Sequence, residues 1–291
     1  MKILPILTVG SVSLLFSLHA PAATIYATTD FGNLISFDSS TPGTLTSTVP
    51  ITGLAGNFEG VNGIDFRPAD GRLYAWGNAP GSIYRLYTIN LVTGVATRVP
   101  GNTDLNLTGT HWGFDFNPTV DRIRVVSDTN VSIRLNPNDG TLTGTDISLN
   151  PSSAVSAAAY DRNDTNPSTL TTLLGIDSTA NTLVRIGGVD GSPSPNLGAV
   201  TTIGPLGVDP LGSNGFDIGI DGVGYAAFGT GTPVPARLYT INLSTGAATL
   251  VGQIGDGTAG VRNLAVVVPE PSHALLAVLA GLALRLKRRR R

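Results

Sequence analysis

Three aspartates recur in one local setting. Asp65 lies in residues 61–66 (VNGIDF), Asp115 in residues 112–116 (WGFDF) and Asp217 in residues 214–218 (NGFDI), each an apolar, strand-like segment with the acid at the same place. Carboxylates delivered from equivalent strands to one centre could coordinate a hard cation such as calcium, which takes about six to eight oxygen ligands. The alternative is that each accepts backbone N–H bonds from a neighbouring segment, because buried polar groups are nearly always hydrogen-bonded. Apolar residues flank each acid, which suits both; the second is preferred. Asp70, Asp139 and Asp190 each precede glycine, the mark of a tight turn. His111 is the only histidine in residues 23–268, so any Ser-His-Asp triad must use it, and no Gly-x-Ser-x-Gly elbow accompanies it. Trp76 and Trp112 could stack on sugar rings, although strand aromatics more often fill a core. Arg122 and Arg124 alternate on one strand face, as solvated or Asp-paired cations do.

Composition narrows the chemistry further. The chain has no cysteine, and no lysine between Lys2 and Lys287, so a thiolate nucleophile, a lysine Schiff base and a multi-Cys/His zinc site are excluded from its body. The formal charge of −2 over 291 residues hides an uneven distribution. Six of the 18 basic residues fall in the last seven positions, whereas residues 23–268 hold eleven arginines against nineteen acids, a balance of about −8. Such a body is no nucleic-acid binder. With 36 glycines and 19 prolines it is dense in turns rather than helical.

The elements that must position the aspartates form a repeat. Weaker copies of the aspartate segment occur at residues 157–160 and 261–266, with Ala159 and Ala265 in place of the acid. The five positions are separated by 50, 44, 58 and 48 residues, the length of a propeller blade of four short strands. The hexapeptide LYTINL occurs at 86–91 and again at 238–243, which marks equivalent strands of two blades. The first unit has three strand signals and lacks the aspartate-type strand; the last unit has only that strand. The expected architecture is therefore an all-β, five-bladed β-propeller in which the C-terminal strand closes the ring as the inner strand of the first blade. Closure removes most exposed sheet edges. Residues 100–110, a polar loop, and an insertion at residues 187–195 are where a rigid scaffold would display function.

The two ends read as addresses. Residues 1–22 have a positive start at Lys2, an apolar run and an Ala20-Pro21-Ala22 site, as in a secretory signal peptide. At the other end Val268-Pro269-Glu270-Pro271 precedes an apolar run at 274–284 and the arginine cluster. That run spans roughly 17 Å as a helix, short of the roughly 30 Å hydrocarbon core. With the basic cluster held at the cytoplasmic face, it suits a transient inner-membrane stop. The three ordered features of residues 268–291 resemble the PEP-CTERM sorting signal of exopolysaccharide-producing Gram-negative bacteria. The resemblance implies an exosortase as partner, with export through the Sec pathway and release or attachment at the cell surface. Residues 269–291 are then a sorting tail.

The body has a resemblance of its own. Residues 112–118 (WGFDFNP), 121–128 (DRIRVVSD), Arg134-Leu135-Asn136-Pro137, Gly140, and the stretches LGID at 174–177, LGVD at 206–209 and GFDI at 215–218 resemble the bacterial family called domain of unknown function 4394 over residues 24–268. That resemblance implies a fold and no site. The functional expectation is a non-catalytic binding or matrix protein associated with exopolysaccharide, with no cofactor, calcium being the one open alternative. The competing expectation is a cation-dependent propeller hydrolase or lactonase that uses Asp65, Asp115 and Asp217.

Overall fold

The computed structural model describes residues 22–268 except 57–58, 165, 167, 212–213 and 231–233. Residues 1–21 of the expected signal peptide (1–22) and Pro269, Glu270 and Pro271 of the expected sorting motif lie outside the described residues, and Val268 is the last one described. The described residues form five antiparallel sheets. From the inside outwards, blade 2 contains Gly60–Phe66, Leu73–Ala79, Ile83–Ile89 and Ala96–Arg98, and blade 3 contains Trp112–Asn117, Arg122–Ser127, Ser132–Leu135 and Leu142–Thr145. Blade 4 contains Val155–Tyr160, Leu173–Asp177, Thr182–Ile186 and Val200–Pro205, and blade 5 contains Asn214–Ile218, Gly224–Phe228, Arg237–Ile241 and Ala248–Gln253. Blade 1 is assembled from both ends, Val261–Val266 pairing antiparallel with Thr24–Thr29, followed by Asn33–Asp38 and Leu45–Pro50. The expected five-bladed propeller with C-terminal ring closure is what the chain forms.

The cause is local. Each strand is a short run of β-branched, aromatic and aliphatic residues bounded by Asp, Asn, Gly or Pro turns. The inner strands read as continuous apolar runs because they are buried on both faces, and outer strands such as Leu45–Pro50 and Ala248–Gln253 are largely exposed. Blades are joined by side chains interleaved between their faces. Tyr74, Trp76 and Tyr84 of blade 2 pack with Trp112, Phe114 and Phe116 of blade 3 in one cluster. Each fully buried side chain of this size contributes about 1.5–3 kcal/mol relative to exposure.

Residues 100–110 differ from expectation. They are a loop only in part, because Leu105–Asn106 pairs with Ile83 and Tyr84 at the outer edge of blade 2. The reason is a length mismatch: Ala96–Arg98 covers only Tyr87–Ile89, and the remaining edge of that strand needs another partner. The insertion at residues 187–195 extends to Leu197 through two single-turn 3-10 segments, Val189–Gly191 and Pro195–Leu197. It folds back on blade 3, where the amide N–H of Ile147 donates to the Asn196 carbonyl at 3.1 Å. Among the described residues no helix is long and apolar enough to cross a membrane.

Outer-strand turns lock neighbouring blades together. Gly94, at the last turn of blade 2, has φ +71° and sits so close to blade 1 that a Cβ would overlap the Pro50 carbonyl oxygen. Gly246 makes the same approach from blade 5 to the carbonyl of Gly204 in blade 4. Gly32 shares the +71° backbone angle and has open space where a Cβ would go. The two sites separate a steric effect from a backbone one. Gly94→Ala should lower the urea midpoint by the equivalent of about 1–3 kcal/mol more than Gly32→Ala does; equal losses would show that the blade contact contributes nothing.

Candidate functional site

The three aspartates converge on the axis, with carboxylate oxygens within 4.8 Å of one another. All are buried, at 1 % exposure. Each inner strand pairs on one side only, so every second N–H faces the axis with no ladder partner. The residue after each aspartate-type position supplies one such group: Phe66, Phe116, Tyr160, Ile218 and Val266. Asp65 accepts from Phe116 in blade 3 at 2.7 Å, Asp115 from Tyr160 in blade 4 at 2.9 Å, and Asp217 from Val266 in blade 1 at 2.6 Å. Ala159 and Ala265 offer no oxygen to the blades that follow them. There the acid of the following blade uses its second oxygen on its own neighbour, Asp65 on Phe66 at 2.7 Å and Asp217 on Ile218 at 2.6 Å.

Five of the six carboxylate oxygens are thereby occupied by five N–H groups. The sixth, Oδ2 of Asp115, remains for the contact between the Asp115 and Asp65 carboxyls. Burial and then the charge of Asp217 hold Asp65 well above the usual carboxylate range. Burial and the charges of Asp65 and Asp217 do the same to Asp115. Both acids of that pair therefore favour the protonated form. Burial pushes Asp217 up to about 7, against the opposing pull of the Val266 and Ile218 N–H bonds.

The other residues singled out in the sequence are placed differently. Trp76 is fully buried, and its ring faces are taken by Tyr84 at 5.3 Å and Phe114 at 6.3 Å. Trp112 is 3 % exposed, lies 4.6 Å from the Tyr84 ring and donates its indole N–H to the Tyr84 hydroxyl at 3.1 Å. Neither indole presents a free face to a sugar, because the blade 2–blade 3 core needs both. Half-buried His111 stands at one mouth of the axis beside Asn62, Ser156, Asn214 and Asn263, around a space of about 20 Å³, room for about one water.

A larger opening lies between blades 3 and 4. This cavity of about 340 Å³ is walled on one side by Arg122, Arg124 and Arg134 and on the other by Tyr160, Ser194 and Asn196 of the inserted segment. Arg124 is the register partner of Asp115, and both side chains point at blade 4. Its guanidinium donates to the Tyr160 hydroxyl at 3.4 Å, to Ser132 at 3.1 Å, to Asn196 at 2.5 Å and to Asp146. Asp146, 3 % exposed, also takes a bidentate pair from Arg134 at 2.9 and 2.8 Å. Sequence reasoning identified Arg122, Arg124 and the insertion but not Arg134, Asp146, Tyr160 or Asn196. One signal was present: the position opposite the aspartate is Tyr26, Tyr74, Arg124, Leu174 and Tyr225 in the five blades, so blade 3 alone places a cation there.

Residues 33–265 match the Domain of unknown function (DUF4394) family. The chain belongs to that family. No curated protein matches this DUF4394 chain. Among solved structures it is similar to a structural-genomics protein of unknown function from Bacteroides thetaiotaomicron VPI-5482, at 15 % identity and a TM-score of 0.49 over 84 % of this chain and 62 % of that one. It is also similar to TolB from Acinetobacter baumannii, at 10 % identity and a TM-score of 0.47 over 79 % of this chain and 53 % of TolB. The DUF4394 chain thus spans about six-tenths of the first and about half of the second.

The hydrogen-bond accounting yields an ordering of variants. Asp217→Ala orphans two buried N–H groups and Asp115→Ala only one, at about 1–3 kcal/mol per group. Asp217→Ala should therefore be the more destabilised by urea denaturation, and the reverse order would contradict the assignment. The raised acid also sets a pH dependence. An acid whose folded pKa exceeds its ordinary value contributes stability that is complete below the ordinary value, here 3.8, and disappears as pH rises through about 7. The stability gap between the parent and Asp217→Asn should narrow between pH 4 and pH 7 and then level off; a gap that widens would reverse the sign.

Proposed function

We propose that this protein is a non-catalytic binding propeller, exported through the Sec pathway of a Gram-negative bacterium, sorted to the cell surface and associated with extracellular polysaccharide. One observation carries the binding half: the polar cavity between blades 3 and 4, at about 340 Å³, falls in the range of small-molecule sites of about 300–1,000 Å³ and is lined by fixed guanidinium, hydroxyl and amide groups. The axial carboxylates, by contrast, are engaged in joining blades. The addressing half is supported by the sequence at the two ends, with an exosortase as the processing partner and only transient contact with the inner membrane.

A cation-dependent hydrolase or lactonase is the second reading, and the 4.8 Å cluster of Asp65, Asp115 and Asp217 favours it. A cation such as calcium there would share five of the six oxygens with backbone N–H donors. Stoichiometric calcium in the purified protein, together with a melting temperature lowered by chelator, would support that alternative.

The test uses protein recovered from the culture supernatant of the native host. Its intact mass should place the C-terminus near residues 269–271, and recovery of Arg291 would overturn sorting. The same protein should be retained on immobilised exopolysaccharide from that host. Ser194→Trp, which fills the cavity from the inserted segment, should abolish retention without a change in melting temperature.

A further inference from the structure

The charge of the cavity runs against the charge of the body. Residues 23–268 carry eleven arginines against nineteen acids, yet three of those arginines line this one opening. Within salt-bridge distance the three share a single carboxylate, Asp146, because Asp190 on the opposite wall pairs with Arg162 at 2.6 Å. An excess of about two positive charges remains. Arg124 alone is buried, and Asp146 meets it; Arg134, its side chain 31 % exposed, and half-buried Arg122 turn guanidinium edges to the opening, where an anion can meet them.

The donors still open identify what is missing. Arg124 is held in place: four of its five N–H groups serve Tyr160, Ser132, Asp146 and Asn196, so it forms a fixed cationic floor. Arg134 gives Nε and Nη2 to Asp146 and keeps Nη1. Half-buried Arg122 makes no ion pair among the described residues; its Nη1 donates to the Val120 and Asp121 carbonyls at 3.4 and 2.8 Å, which steadies the fork and leaves Nε and Nη2. A guanidinium held this way matches a carboxylate, which accepts two parallel N–H bonds. The rim is of another kind. Val120 and Leu170 are 55 % and 54 % exposed at the cavity edge, an apolar border suited to the C–H face of a sugar ring, with Ser194 across from it.

We infer that the cavity between blades 3 and 4 binds a carboxylate-bearing saccharide, its acid group held by the open edges of Arg122 and Arg134 above Arg124. The inference deepens the polysaccharide reading and rests on it. Arg124 is left intact in the test because it braces two blades.

Calorimetric titration of the full secreted chain with digalacturonate should show binding. The methyl ester of digalacturonate should bind at least tenfold more weakly. Citrate, which has carboxylates without a sugar ring, should compete at least tenfold less well than the disaccharide. Arg122→Gln and Arg134→Gln should each lower affinity for the acid about tenfold and leave the weak ester binding unchanged, and Arg122→Gln, which breaks no ion pair among the described residues, should leave the melting temperature within error. Affinity for the acid should also fall on raising salt from 0.05 to 0.5 M. Equal binding of acid and ester, equal competition by citrate, or Arg variants that bind the acid normally would overturn the inference. If the host exopolysaccharide is retained in a Ser194→Trp-sensitive manner while acid and ester bind alike, only the acidic class fails. If neither the polysaccharide nor the disaccharide binds, the polysaccharide reading fails with it.

Discussion

Five backbone N–H groups face the axis of this ring from the free edges of the inner strands, and three carboxylates satisfy them. The rest of the fold depends on that arrangement, because an inner strand with an unpartnered N–H at the centre of a buried ring would carry a desolvation cost at every blade. Each aspartate reaches the following blade, so Asp65, Asp115 and Asp217 serve as joints as well as caps. Crowding three acids into a dry space raises their proton affinity.

The irregularity of the repeat is what makes one seam unlike the others. Three blades present tyrosine opposite the aspartate-type position, whereas blade 3 presents Arg124. A buried guanidinium needs several acceptors, and the neighbouring blade supplies them through Tyr160 and through Asn196 of the longer blade-4 segment. The same segment stands away from the remaining arginines and leaves the cavity. The scaffold is symmetric where it must close, and asymmetric where a ligand could enter.

Much of the architecture was legible in the chain because propeller blades are local: strand, turn and strand follow one another within a few residues, and apolar runs bounded by Asp-Gly or Thr-Gly turns announce themselves. The spacing of Asp65, Asp115, Ala159, Asp217 and Ala265 gave the blade count, and the incomplete first and last units gave the closure. The candidate site was less legible. Trp76 and Trp112 are suitable for sugar stacking by type, but packing against Tyr84 and Phe114 commits them to the core. Arg134 and Asp146 are twelve residues apart, the one on a strand and the other just past the next, and no spacing in the chain pairs them.

By itself the sequence determined which segments become strands, how many blades there are, that the ring closes through its last strand, and that cysteine and lysine chemistry is excluded from the body. Strands and blade count follow from composition and from contacts between near neighbours in the chain, and closure from the way the incomplete first and last units complete each other. Only the tertiary structure decided what the aspartates do, which oxygen serves which blade, and that three arginines meet across a seam from Tyr160 and Asn196. Those outcomes rest on hydrogen bonds between residues as far apart as 72 positions, and their geometry exists only once the ring is closed.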